Sequence, residues 1–254
     1  MGETDAAAKA SGAETARRTV RLLEALARHQ PVKLDALGDL VGLTKSTTYR
    51  LMRVLQDEGF AERVQGGGYR IGPALTGLAA LISPQAHLYE STRPILRALA
   101  EQTAETVTLH RRAGDLGLIV FGVESDAHAL RQLALVGEAV PLVRGCSGRV
   151  LLACLDEPTV AAVAERAGMD EHAVASLRAD VGRVAERGYA LSHGENHPGV
   201  RGIAVPVPGG QDTPLALTIS GPDSRWTEDR ALAARDVLTG AAADLARHLA
   251  STAT

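Results

Sequence analysis

Four short segments carry residue types and spacings that could do chemistry. Gly145-Cys146-Ser147-Gly148-Arg149 places a thiol and a hydroxyl among glycines, just ahead of the apolar run Val150-Leu151-Leu152-Ala153. Small residues at a helix start leave room for a ligand, and the free amides with the macrodipole favour an anion such as a carboxylate. A thiol there could also act as a nucleophile. No base is recognisable near Cys146 and Gly-x-Ser-x-Gly is not matched, so a small buried thiol is the plainer reading. His193-Gly-Glu195-Asn-His197 alternates metal-ligand types, but the surrounding Gly194, Pro198 and Gly199 read as a loop in which Glu195 accepts backbone amides. Gln65-Gly66-Gly67-Gly68 lacks the Gly-x4-Gly-Lys-Ser/Thr pattern of a phosphate loop. Finally, Thr44, Lys45, Ser46, Thr47, Tyr49, Arg50 and Arg53 bring hydroxyl, basic and amphipathic side chains to the start of one helical segment, which suits phosphates and base edges.

The elements that must position these groups follow from periodicity. Residues 15–29 repeat apolar side chains at helical spacing (Val20, Leu22, Leu23, Leu26) and stop at Gln30-Pro31. A short second helix over 34–41 ends at Gly42, and Thr44 caps a third helix running from Lys45 to about Glu58. Leu51, Val54 and Leu55 are expected inward. Two short helices joined by a Gly-containing turn are helix-turn-helix chemistry, with the third helix set to read a major groove. Phe60–Val64 and Tyr69–Ile71 flank the glycines as two strands of a wing that carries Arg70. The bland alternative is a three-helix unit whose cations are merely solvated.

Downstream, a helix over Leu75–Ile82 stops at Ser83-Pro84, and a longer one spans about 85–103 with Leu88, Ile95, Leu96 and Leu99 inward. Strands are predicted at 106–111, 117–123, 129–135, 189–192, 203–207 and 215–220, with helices at 148–155, 157–167, 171–187 and 227–249. Strands that arrive in groups favour an antiparallel α+β arrangement over a doubly wound parallel one. The domain division is a disordered tail at 1–13, a helix-turn-helix unit at 14–72, a linker helix at 73–84 and a larger domain at 85–254.

Composition bounds the function. The 254 residues are 45% apolar with only seven aromatics, so the core is aliphatic, and the 22% charged fraction excludes a disordered chain. No apolar stretch reaches membrane-spanning length, two cysteines are too few for a disulfide framework, and the N-terminus lacks a signal-peptide pattern. A cytoplasmic location fits. Net charge is −3, but residues 14–72 carry ten Lys/Arg against seven Asp/Glu, which with −1 on residues 1–13 leaves −5 on residues 73–254. A small basic unit thus precedes a larger acidic one, a pattern that suits different partners.

Taken together, Gly42-Leu-Thr-Lys-Ser-Thr-Thr-Tyr-Arg-Leu, Gly59-Phe, Tyr69-Arg-Ile-Gly72, Gly137, Pro141-Leu, Gly148-Arg-Val-Leu-Leu-Ala, Gly188-Tyr, Glu195-x3-Gly199-Val-x2-Ile-Ala-x-Pro-Val and Ser220-Gly221-Pro222 with Arg225 resemble the IclR family of bacterial transcriptional regulators. The resemblance spans about Glu14 to Leu249. It implies a winged helix-turn-helix domain, a linker helix and a GAF-like effector-binding domain with a curved antiparallel sheet, assembled as a homodimer or homotetramer on a double-stranded operator. It further implies a small effector, a carboxylic acid or aromatic catabolite, that controls a catabolic operon. Carried over by motif, the effector positions are Cys146, Ser147, Gly148, Ser192, Val200, Gly202, Thr218 and Ser220, with Gln132 a looser transfer on the strand before Gly137. Val143 and Gly145 replace a frequent His and a small hydroxyl or alanine, Arg149 replaces the usual Lys, and Ser192 stands where some relatives carry an acid. The reading requires neither cofactor nor metal. Its rival is a small-molecule enzyme using Cys146, with the N-terminal unit serving dimerisation.

Overall fold

The computed structural model describes residues 2–78, 90–209 and 214–252, and the chain divides into two compact units, Met1–Pro84 and Gln85–Thr254. In the first unit α1 (Gly2–His29), α2 (Leu34–Val41) and α3 (Lys45–Asp57) precede β1 (Ala61–Arg63) and β2 (Tyr69–Ile71). The helix α1 begins well before the boundary drawn from the sequence: residues 2–13, expected as a disordered tail, are helical. Ala6, Ala7, Ala8, Ala10 and Ala13 supply the helix propensity that accounts for it. Residues 73–78 continue as helix, and the rest of the expected 73–84 linker lies outside the described residues.

Leu22, Leu26, Leu37 and Met52 are fully buried and, with Leu51, Leu55 and Tyr69, form this unit's core. At about 1.5–3 kcal/mol per buried large apolar side chain, this cluster holds α1 together with two short helices, α2 and α3, that are marginal alone. Thr48, Leu51, Met52 and Leu55 make the inward face of α3, following i, i+3, i+4, i+7 spacing. Val54 was expected inward, yet it lies about 120° away on that wheel and is exposed, as is Val20 on α1. Gly42 adopts φ 67° and its N–H closes α2 onto Asp39 and Gly38. Gly38 lets α3 approach, since a Cβ there would lie 2.8 Å from Thr48 Oγ1. β1 and β2 pair antiparallel, and Val32 adds a bridge to Tyr69 through two backbone bonds of 3.0 and 2.8 Å.

The second unit is built on a curled six-stranded antiparallel sheet in the order β5-β4-β3-β8-β7-β6. Its strands are β3 (Thr106–Ala113), β4 (Leu116–Val123), β5 (Ala139–Pro141), β6 (Ala190–His193), β7 (Val200–Val207) and β8 (Leu215–Pro222). Strand alternation assigns the two faces opposite duties. Val107, Leu109, Phe121, Ile203, Val205, Leu217 and Ile219 pack against α4 (Arg93–Thr103), α8 (Glu228–Ala233) and α9 (Arg235–Thr252), around Trp226. On the other face Ala190, Ala204 and Ala216 meet α5 (Gly145–Ala153), α6 (Glu157–Arg166) and α7 (Glu171–Arg187). Thr108, His110, Ile119, Ser192, Gly202 and Thr218 share this second face. A register shift at Leu109/His110 sets His110 opposite Ile119.

The third strand differs from expectation. Residues 129–135 form no strand, and β5 lies at Ala139–Pro141 instead. Segment 129–135 is fixed by side chains rather than by a ladder: Thr106 Oγ1 donates to the Gln132 carbonyl, and Glu124 accepts from the Ala134 amide and from Arg131. Leu130 and Leu133 are exposed, so the apolar letters that suggested a strand do not mark a core element. The Glu105–Arg225 ion pair, 2.6 and 2.8 Å, lies beneath Gly221, where a Cβ would meet the carboxylate. The expected helix over 85–103 is seen as α4 from Arg93, and Leu88 lies outside the described residues.

Candidate functional site

The first candidate surface is the outer face of α3. Thr44 caps the helix, its hydroxyl accepting from the Thr47 amide at 3.4 Å, while Thr48 Oγ1 donates to the Thr44 carbonyl at 3.0 Å and anchors the buried side. Lys45, Ser46, Tyr49, Arg50 and Arg53 are all exposed, and Thr47 is half-buried at the edge. Lys45 pairs with Asp35 of α2 at 3.0 Å, Arg53 with Asp57 at 4.0 Å, and Arg70 with Glu62 across the wing. Exposed pairs contribute about 0–1 kcal/mol, so phosphates can replace these carboxylates at little cost. Arg50 has no ion-pair partner among the described residues. The wing turns on Gly66, Gly67 and Gly68, all at positive φ, and Arg63 stacks on Tyr69 at 5.8 Å.

The second candidate is a cavity of about 70 Å³ on the sheet face that α5 only partly covers. Its lining brings together Gln132, Cys146, Ser147, Ser192, Val200, Gly202, Thr218 and Ser220, eight of the nine positions chosen from sequence. Gly148 is not among them. A Cβ there would sit 2.3 Å from the Leu142 carbonyl, so Gly148 lets α5 pack tightly and has no part in the cavity wall. Gly202 does shape the wall: a Cβ would lie 2.8 Å from Cys146 Sγ and 3.2 Å from Ser192 Oγ. Gln132 reaches the cavity from a loop rather than from the expected strand.

Thr108, His110, Ile119, Leu133, Glu138, Val140, Glu195, Asn196 and His197 complete the lining and were not singled out as effector positions. The alternation Thr106-Val-Thr-Leu-His was the available signal, since it puts polar side chains on one face of a buried strand. Thr108 Oγ1 and His110 Nε2 lie 2.9 Å apart, and burial pushes the His110 pKa down to about 4, leaving a neutral ring at pH 7. Burial likewise pushes the Cys146 thiol up, against a hydrogen bond with Ser192 and the nearby Arg149 charge.

At the start of α5 the anion position is already partly filled from within. Glu195 Oε2 accepts from the Gly145 amide at 2.9 Å and from Arg149 Nη1 at 2.8 Å, and Arg149 Nη2 also donates to the other carboxylate oxygen and to the Leu191 carbonyl. Burial opposes ionisation of Glu195, but Arg149 and the Gly145 amide outweigh it and hold its pKa below the usual value. His193 pairs with Asp223 at 2.8 Å and His197 with Glu138 at 3.3 Å, so the three chemistry-bearing side chains of this segment turn to separate partners.

Family comparison matches residues 15–65 to the IclR helix-turn-helix domain and residues 81–249 to "Bacterial transcriptional regulator IclR C-terminal". The chain belongs to the IclR family. Among curated IclR relatives it is 30% identical to the transcriptional repressor IclR of Escherichia coli, over 84% of this chain and 81% of that one. It is 35% identical to the regulator TtgV of Pseudomonas putida over 61% of this chain and 59% of that one. A solved IclR-type regulator from Silicibacter sp. TM1040 superposes with TM-score 0.69 at 30% identity, covering 92% of this chain and 96% of that chain. Another, from Alicyclobacillus acidocaldarius, gives 0.71 at 27% identity over 93% and 98%. This IclR protein is therefore a DNA-binding transcriptional regulator, and the rival reading of an enzyme built on Cys146 is set aside: the matched families are regulators. No helix among the described residues is long and apolar enough to cross a membrane.

Proposed function

We propose that a small organic molecule held in the sheet-face cavity modulates operator binding, as a carboxylic acid or aromatic catabolite does when it reports the need for a catabolic operon. The unit at 14–72 reads the duplex, 73–84 links, and 85–254 senses and oligomerises as a homodimer or homotetramer. The observation that carries the reading is the pairing of an exposed basic and hydroxyl face on α3 with a separate cavity holding buried polar atoms that have no partner among the described residues. Relatives support the class. One curated relative, 30% identical, is named the acetate operon repressor of Salmonella typhimurium, and a solved IclR homolog from Microbacterium hydrocarbonoxydans, 22% identical, was complexed with 4-hydroxybenzoate.

Two recognition helices in an oligomer engage half-sites at a fixed spacing, and the effector biases that spacing through a coupling of about 1–3 kcal/mol. Replacing Arg50 by Ala removes one contact to the duplex. Operator affinity measured by fluorescence anisotropy should fall about tenfold, with the salt slope reduced by about one unit per subunit contact, while effector binding stays unchanged. An operator affinity equal to wild type would remove Arg50 from the interface.

A further inference from the structure

Three of the six buried side-chain polar atoms without a partner among the described residues belong to this one cavity: His110 Nδ1, Thr218 Oγ1 and Glu138 Oε2. His110 and Thr218 are 5% and 4% exposed, so solvent does not satisfy them. Native structures pair nearly all such groups, and three of them around one space give a polar ligand convergent groups to bond. Their chemistry is not equivalent. Thr218 can donate, and His110 Nδ1 donates when the Thr108 hydroxyl donates to Nε2. An ionised glutamate can only accept. Glu138 is also held in place: its carbonyl accepts from the Ile119 amide at 2.9 Å, and its other carboxylate oxygen lies 3.3 Å from His197 Nε2. The described lining includes no lysine or arginine.

We propose that Glu138 sets effector specificity: its free Oε2 calls for a hydrogen-bond donor on the ligand, so the cavity selects a small hydroxylated acid over the same acid without its hydroxyl. The acceptor oxygens of that ligand fall to Thr218 and His110, and its hydroxyl falls to Glu138. A ligand lacking the hydroxyl leaves a buried carboxylate oxygen unpaired. Sites built to bond a hydroxyl discriminate strongly against the analogue that lacks it. This inference rests on the acid-type effector proposed above.

The test is isothermal titration of the full-length protein with three matched pairs: lactate and propionate, 3-hydroxybutyrate and butyrate, 4-hydroxybenzoate and benzoate. The hydroxylated member should bind at least tenfold more tightly in each pair that binds. Glu138→Met should bring that ratio within threefold while changing the affinity for the unhydroxylated member less than threefold. Glu138→Gln, isosteric and presenting an amide donor, should also lower the ratio at least threefold, and serves if the Met variant does not fold. Equal binding within every pair, or a preference that survives both substitutions, overturns the role of Glu138 and leaves the acid effector standing. Failure of all six compounds to bind overturns the acid reading itself, and this inference with it.

Discussion

Arg149→Met tests how the cavity side of the sheet is held. Arg149 is 12% exposed and Glu195 30% exposed, and the guanidinium makes bonds to both carboxylate oxygens and to the Leu191 carbonyl. Methionine keeps much of the stem's packing but strands the Glu195 carboxylate with the Gly145 amide as its remaining named donor. Breaking a buried ion pair costs about 3–5 kcal/mol; with Glu195 still nearly one-third in water, about 2–3 kcal/mol is expected here. Urea unfolding followed by fluorescence reads this directly, because the single Trp226 is 3% exposed in the core of the second unit. The pH dependence has a definite sign. Because the folded-state pKa of Glu195 lies below its ordinary value, the stability it confers is present above about 4.5 and lost as pH falls through the folded pKa. Without Arg149 the burial of the carboxyl is opposed chiefly by the Gly145 amide, its pKa rises, and the difference between variant and wild type should narrow from pH 7 to pH 4. A deficit under about 1 kcal/mol, or one that does not change with pH, would refute the argument that this pair anchors the start of α5.

His110, neutral with its pKa near 4 against 6.5 in the unfolded chain, takes up its proton more readily once unfolded. Wild type should therefore lose about 3 kcal/mol more than His110→Gln as pH falls from 7 to 4, checked by the same unfolding measurement at each pH. Burial pushes both thiols up, so accessibility decides: the exposed Cys154 should react with a disulfide reagent in the native protein, whereas the buried Cys146 should react only after unfolding. Gly38→Ala places a methyl 2.8 Å from Thr48 Oγ1 and 3.1 Å from the Leu43 carbonyl, which should cost about 1–3 kcal/mol and weaken operator binding, read by circular dichroism and anisotropy.

The helix-turn-helix was legible because its signals are local. Gly42 at positive φ and Thr44 as a cap act within a few residues, and the sequence exposes both. Val54 and the 129–135 segment were misread for one physical reason: apolar letters do not say which side of an element is covered. Leu130 and Leu133 look like strand residues, but the hydrogen bonds of their segment go to Thr106, Glu124 and Arg225, partners separated from it in sequence. The cavity was half legible. Its serines, Thr218 and Gly202 sit in motifs, while His110, Glu138 and His197 join it through sheet register and a loop contact that no spacing announces. Gly148 stood in the right motif for a different reason, close approach of α5 to Leu142.

The central claim, that the outward face of α3 reads a specific duplex under control of the cavity in the second unit, is tested most directly by anisotropy with the chain's own promoter fragment and a scrambled one, from low to physiological salt. The account predicts a preference of at least about a thousandfold for the promoter, a steep loss of affinity with salt, and a shift in affinity when a cavity ligand is added. Equal binding to both fragments at every salt concentration, with and without ligand, would contradict it.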